Sequence, residues 1–170
     1  MNRHKWYSIL ITGLALALAS SVVACTEPPE VGIEVGNTAP DFTLQTVHGE
    51  SITLSAFRGK IVVVNFWLTD CIGCTDELPH MQAVFDKWPD GELMVLAINV
   101  TESAAIVKEF VDSQGFTFPI LLDRNGQVSM DYGGLGVPTT FFIDRKGIVR
   151  AIKHDAFLSP DEIESTVDSL

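Results

Sequence analysis

Cys71 and Cys74 stand two residues apart in the stretch VVVNFWLTDCIGCTDELPHM, residues 62–81. Thiols at that spacing can ligate a metal, lock the chain locally, or exchange electrons as a dithiol–disulfide couple. The preceding run KIVVVNFWL is continuously apolar and β-branched from Ile61 to Val64. It reads as a strand buried on both faces. The following segment CIGCTDELPHMQAVFDKW places Leu78, Met81, Val84, Phe85 and Trp88 at helical spacing. Cys71 therefore falls at a strand-to-helix junction, where unpaired N–H groups and aligned peptide dipoles favour a thiolate. Cys74 lies one turn further along the same face and can attack a mixed disulfide formed at Cys71. A disulfide across two residues closes almost no chain and adds little stability. A structural staple is a poor explanation for the pair.

The elements that must carry this junction are legible in outline. DFTLQTVHGESITLSAF alternates around His48-Gly49-Glu50 as a hairpin does. ELMVLAINV reads as a second buried strand, ESAAIVKEFVDSQG as an amphipathic helix ending at Gly115, and FPILLD as a short strand. RNGQVSMDYGG reads as a turn with a helical piece. PTTFFIDRKGIVRAIKH predicts two strands joined at Arg145-Lys146-Gly147. SPDEIESTVDSL predicts a closing helix with Ser159 as N-cap, Pro160 first and Glu162 third. Alternating strands and helices followed by a late hairpin imply an α/β protein, a mixed sheet with helices on both faces.

The ends and the charge set the setting. Residues 1–24 carry Arg3 and Lys5 and then the run SILITGLALALASSVVA, the pattern of an export signal. SVVAC resembles the bacterial lipobox, which makes Cys25 the expected lipidation site and holds the chain at a membrane surface. Residues 25–34, acidic and Pro-containing, read as an extended tether, and 35–170 as one globular domain. Assigning Cys25 to lipid leaves Cys71 and Cys74 as the only possible disulfide partners. Beyond residue 24 the chain keeps nine of eleven basic residues and all twenty-two acidic ones, a formal charge of −13. That charge argues against nucleic acid and against electrostatic attraction to anionic lipid.

NFWLTDCIGCTDELP resembles the active-site segment of the thioredoxin-like superfamily, in particular its membrane-tethered ResA/TlpA/CcmG branch. GNTAPDFTLQTVHGESITLSAFRGKIVVVNFW, AINVTES, FPILLD and GVPTTFFIDRKGIV follow in that branch's order, so the likeness covers nearly the whole of 35–170. It implies a thioredoxin-like fold, a central mixed β-sheet flanked by helices, with an N-terminal β-hairpin extension and a central αβ insertion. Cys71 matches the exposed nucleophile, Cys74 the buried resolving thiol, and Glu77 a buried acid that manages their protons. Val137, Pro138 and Thr139 match a substrate-binding loop whose proline is cis, and Trp67 is expected to line the same surface. Phe66 is expected in the core, and Pro79 is expected to bend the active-site helix. The resemblance further implies an extracytoplasmic, monomeric thiol–disulfide oxidoreductase of the bacterial membrane, using no metal and no organic cofactor. Its substrates are protein disulfides, apocytochrome c among them, and its electron donor a membrane thiol relay of the CcdA/DsbD kind.

Two positions depart from the branch: Asp70 stands where tryptophan is usual, and Gly73 where proline is usual. Asp70, Asp76 and Glu77 place three potential negative charges near Cys71, which opposes thiolate formation and favours a reducing couple. Three other readings compete, one of them a redox-inert binding module on the same fold, against which both cysteines at the helix start speak. A copper-delivery module could use Cys71, Cys74 and His80, but such proteins space their cysteines by three residues; His48 and His154 show no ligand spacing. A peroxiredoxin-like antioxidant enzyme shares the PDFTL opening but needs Thr and Pro where Leu68 and Val64 stand.

Overall fold

The computed structural model describes residues 29–88 and 91–170. The expected signal segment, Cys25 and the first residues of the expected tether lie outside them. Seven strands form one mixed sheet: β1 (Thr43–Thr46), β2 (Ser51–Thr53), β3 (Ile61–Trp67), β4 (Leu93–Val100), β5 (Ile120–Asp123), β6 (Thr139–Ile143) and β7 (Val149–Lys153). Four α-helices join them: α1 (Ile72–Lys87), α2 (Ala104–Gln114), α3 (Gln127–Asp131) and α4 (Pro160–Val167). The spatial order is β2-β1-β5-β4-β3-β6-β7. β3, β4 and β5 run parallel, and β1, β2, β6 and β7 join antiparallel.

All seven residues of β3 are buried, as a strand covered on both faces requires. Because side chains alternate, Ile61, Val63 and Trp67 pack on one side with Leu78, Met81 and Val84 of α1. Val107 of α2 and Ile163 and Val167 of α4 complete that layer. Val62, Val64 and Phe66 face the other way, onto Leu54, Val128 and Tyr132. Phe66 thus lies in the core, edge-on to Phe141 at 6.2 Å. The expected hairpin is present: β1 and β2 pair Leu44 with Ile52 across the His48-Gly49 turn, and β1 then adds to β5. α2 and β5 form the αβ unit between β4 and α3. Gly115 closes α2 in the left-handed conformation (φ 73°), its N–H donating to Val111 O.

Two local expectations change. The stretch 30–34, expected to be tether, is bonded to the domain. Thr38 N–H donates to Glu30 O (2.8 Å), Gly32 N–H to Thr38 O (2.9 Å), and Gly36 N–H to Val149 O (2.9 Å). Ile33 packs against the second core layer. Ile33 of this acidic stretch finds a core to join, Glu30 and Gly32 pair with Thr38, and Gly36 just beyond them reaches β7. Ser159 does sit at the N-cap of α4 with Pro160 in the first turn, but its side chain makes no capping bond.

Candidate active site

β3 ends at Trp67, and four residues later Cys71 occupies the N-cap of α1 in extended geometry (φ −93°, ψ 104°). Cys71 and Cys74 are joined as a disulfide, with Cα atoms 5.2 Å apart. Cys74 N–H donates to Cys71 Sγ at 3.3 Å. The sulfur of Cys71 thus receives one of the donors that a helix start leaves free, which favours negative charge there. Cys71 is half-buried and Cys74 wholly buried. The first sulfur is the one a partner can reach. Gly73 faces the loop before α4; a Cβ there would meet Ala156 Cβ at 3.4 Å. α1 continues through Pro79, which is exposed on its outer side.

Glu77, one turn beyond Cys74, is fully buried. Its Oε1 accepts from Asn65 Nδ2 of β3 at 2.7 Å, and its Oε2 from Phe157 N–H at 3.0 Å. Burial pushes its pKa up to about 7. The Phe157 amide, the Asn65 amide and the Lys153 charge each pull the other way and only partly offset it. A carboxyl poised there exchanges a proton near neutral pH, which suits a general acid–base. Of the three potential negative charges expected near Cys71, Asp70 and Asp76 are exposed, while Glu77 is only partly ionised near neutrality.

The Val137–Pro138 peptide bond is cis. Thr139 pairs with Phe66, so Pro138 sits beside the end of β3 from which the Cys71 loop springs. Lys153, the last residue of β7, pairs with Thr140, so β7 provides no ladder partner for Val137–Thr139. Val137 and Pro138 are half-buried. The Thr139 side chain is buried and donates to Gly136 O at 2.6 Å, so any outward contact at that residue falls to its backbone.

Trp67 does not line this surface. It is wholly buried, with its ring 5.5 Å from that of Phe110 on α2. As an odd-numbered residue of β3 it shares the inward face with Ile61 and Val63, and α2 covers it.

Several residues of the site carried no signal of their own in the chain. Asn65 and Thr140 are neighbours only through the β3–β6 register, and Asn65 Nδ2 donates to Thr140 Oγ1 at 2.9 Å. Glu102 holds the loop before Cys71. Its carboxylate accepts from Thr69 N–H (2.8 Å), Thr69 Oγ1 (2.6 Å) and Asn99 Nδ2 (2.5 Å). Thr101 beside it adopts a left-handed backbone (φ 62°), unusual for a β-branched residue. A polar residue at the end of a core strand with an acid three positions on, as in AINVTE, is the one available cue to this clamp.

A redox-active cysteine pair at a helix start, an acid beneath it and a cis-proline strand beside it define a thioredoxin-like thiol–disulfide oxidoreductase. The sequence pattern of the AhpC/TSA family matches residues 35–152, and the chain belongs to that thioredoxin-like family. It is 39% identical over 142 residues to the thioredoxin-like protein YneN of Bacillus subtilis, covering 82% of each chain. To the thiol-disulfide oxidoreductase ResA of Geobacillus thermodenitrificans it is 37% identical over 145 residues, covering 85% of this chain and 83% of the relative. Among solved structures it resembles StoA from Bacillus subtilis (TM-score 0.65, 26% identity, 74% of this chain and 95% of that one). It also resembles the exposed lipoprotein thioredoxin Etrx1 of Streptococcus pneumoniae (TM-score 0.68, 28% identity, 77% and 100%). The chain is a thiol–disulfide oxidoreductase of ResA/DsbE type.

Proposed function

We propose that this oxidoreductase works outside the cytoplasm as a membrane-tethered reductase of protein disulfides. The observation that carries the reading is Glu77, buried behind Cys74 with its pKa near 7 and hydrogen-bonded at both oxygens. In the reduced protein the Cys71 thiolate attacks a substrate disulfide, and the first substrate sulfur leaves as a thiolate. Glu77 takes the proton from the Cys74 thiol. The Cys74 thiolate then attacks Cys71 Sγ, the mixed disulfide breaks, and the second substrate sulfur departs with the electron pair. The product is a reduced substrate and an oxidised Cys71–Cys74 bond. The backbone at Val137–Thr139, which β7 leaves without a ladder partner, aligns the substrate chain as an added strand.

The setting follows from the leader, the lipobox-like SVVAC and the acidic stretch after it. Lipid on Cys25 anchors the domain, and a membrane thiol relay of the CcdA/DsbD kind returns electrons, since an oxidising exterior supplies none. Apocytochrome c, with its paired cysteines, is the proposed substrate. Exposed acids at Asp70 and Asp76 favour a reducing couple, since they oppose the thiolate.

Equilibration of the Cys71–Cys74 couple against dithiothreitol and glutathione buffers tests the direction. A potential near or below that of thioredoxin, about −270 mV, supports a reductase; one near that of DsbA, about −120 mV, makes it an oxidant. For the substrate, a deletion strain that still assembles normal c-type cytochromes removes apocytochrome c from the reading.

A further inference from the structure

The hydrogen bonds around Glu77 fit only one of its two protonation states. Both carboxylate oxygens receive donors: Oε1 from Asn65 Nδ2 at 2.7 Å and Oε2 from Phe157 N–H at 3.0 Å. Asn65 Nδ2 also donates to Thr140 Oγ1 at 2.9 Å. The other end of the same amide, Asn65 Oδ1, is buried and accepts a hydrogen bond from none of the described residues. An amide with both donors engaged and its acceptor idle is arranged for an ionised neighbour.

A proton on Glu77 reverses the demand. The Phe157 N–H belongs to the backbone and can only donate, so Oε2 keeps its lone pair for it and the proton resides on Oε1. There, O–H would meet the NH₂ of Asn65, donor against donor, in a site closed to water. Half a turn of the Asn65 amide removes the conflict. Oδ1 then accepts from the Glu77 hydroxyl, and Thr140 Oγ1, a rotor that can give or take, changes from acceptor to donor toward Oδ1. The unpaired position passes from amide oxygen to amide nitrogen. One idle amide atom remains in each state, an acceptor oxygen beside the ionised carboxylate and a donor nitrogen beside the neutral acid.

We propose that Asn65 is a positioning residue serving both protonation states of Glu77, its amide turning over together with the Thr140 hydroxyl when Oε1 gains a proton. The inference rests on the reading of Glu77 as proton partner of Cys74. In that step the Cys74 S–H bond breaks as the Oε1–H bond forms, and the electron pair stays on sulfur for the attack on Cys71. Negative charge moves from Glu77 to Cys74, and the turned amide holds the newly neutral carboxyl in place. Around Glu77, β3 and β6 contribute Asn65 and Thr140, neither of which titrates. β7 contributes Lys153, which lies over the Phe157 ring at 5.1 Å and pairs with Glu162 of α4 at 3.3 Å. On Glu77's own helix Cys74 lies one turn back, and in the disulfide form it does not titrate.

The test is nuclear magnetic resonance on the full chain in its disulfide form, labelled with [15N]asparagine and [13C]glutamate and titrated from pH 5 to pH 9. The Asn65 side-chain amide signals and Glu77 Cδ are expected to move with one midpoint, near 7. The Overhauser contact between the Asn65 amide protons and the Thr140 methyl is expected at high pH and lost at low pH. Asn65→Leu is expected to shift the Glu77 midpoint upward, whereas Thr140→Ser, which keeps the hydroxyl, leaves it unchanged. An Asn65–Thr140 contact that persists while Glu77 titrates overturns the amide inference alone. A Glu77 that does not titrate in this range overturns the proton-partner reading and the inference with it.

Discussion

Glu102 grips Thr69 at both its backbone N–H (2.8 Å) and its hydroxyl (2.6 Å), two residues before the more exposed cysteine of the pair. The same carboxylate accepts from Asn99 Nδ2, so the loop is tied to the end of β4. Removing one side chain strands three donors at once. Glu102→Ala is expected to destabilise the oxidised protein by about 1–3 kcal/mol and to slow disulfide reduction several-fold. Urea unfolding and insulin-reduction assays check the two effects. Glu102→Gln, which keeps one acceptor oxygen in place, is expected to fall between.

Stability should fall with pH through Glu77. An open carboxyl titrates near 4.5, and this one near 7, so between those values the folded chain holds a proton that the unfolded chain has released. The folded pKa is the higher one. The contribution is therefore complete below 4.5 and is lost as the pH rises through 7. Between pH 5 and pH 8 the loss amounts to roughly 2–3 kcal/mol. Glu77→Gln is expected to remove that part of the pH dependence, as urea unfolding at the two pH values would show.

The unequal exposure of the cysteines predicts an order of reaction. In the reduced protein, iodoacetamide at limiting dose is expected to modify Cys71 and spare Cys74, which is wholly buried. Cys74→Ser is expected to accumulate a stable mixed disulfide through Cys71, and Cys71→Ser none. Mass spectrometry of the alkylated and trapped species distinguishes these outcomes.

At Gly73, where the resembled branch implies proline, the chain has room for a Cβ. The position lies in the first turn of α1, where an N–H has no intrahelical acceptor, and a Cβ there makes ordinary contact with Ala156 at 3.4 Å. Gly73→Pro is expected to stabilise the protein by about 0.4–1 kcal/mol by restricting the unfolded chain. Thermal unfolding of the oxidised forms measures it.

What could be read from the chain was what periodicity and local spacing encode. β3 was legible because a strand covered on both faces shows an unbroken apolar run, and Cys71 because it follows that run and opens a helix. Glu77 was legible through the resemblance, as the match to the ResA/TlpA/CcmG branch's buried acid, one turn along the helix from Cys74. The partners of Glu77 were not: Asn65 reaches it through the stacking of helix on sheet, and Phe157 through a loop eighty residues away. Backbone donors such as Phe157 N–H leave no trace in residue type at all. Trp67 shows the opposite failure, since nearness to the cysteines in sequence suggested a surface role that strand alternation denies it.

The docking of residues 30–39 bears on how a lipid at Cys25 would hold the domain. Ala39 N–H donates to Gly147 O and Gly36 N–H to Val149 O, at the turn and first residue that begin β7. β6 runs antiparallel to β3, from Thr139 beside Phe66 to Ile143 beside Val62, so that turn lies at the pole of the sheet opposite Cys71. If Cys25 bears the lipid, five residues, 25–29, connect it to Glu30, and five residues span at most about 18 Å at full extension. The domain would then ride close to the bilayer with its reactive sulfur pointing outward. A soluble substrate would meet it head-on, whereas an electron donor of the kind proposed, embedded in the membrane, would have to reach around the body of the domain or wait for it to tumble.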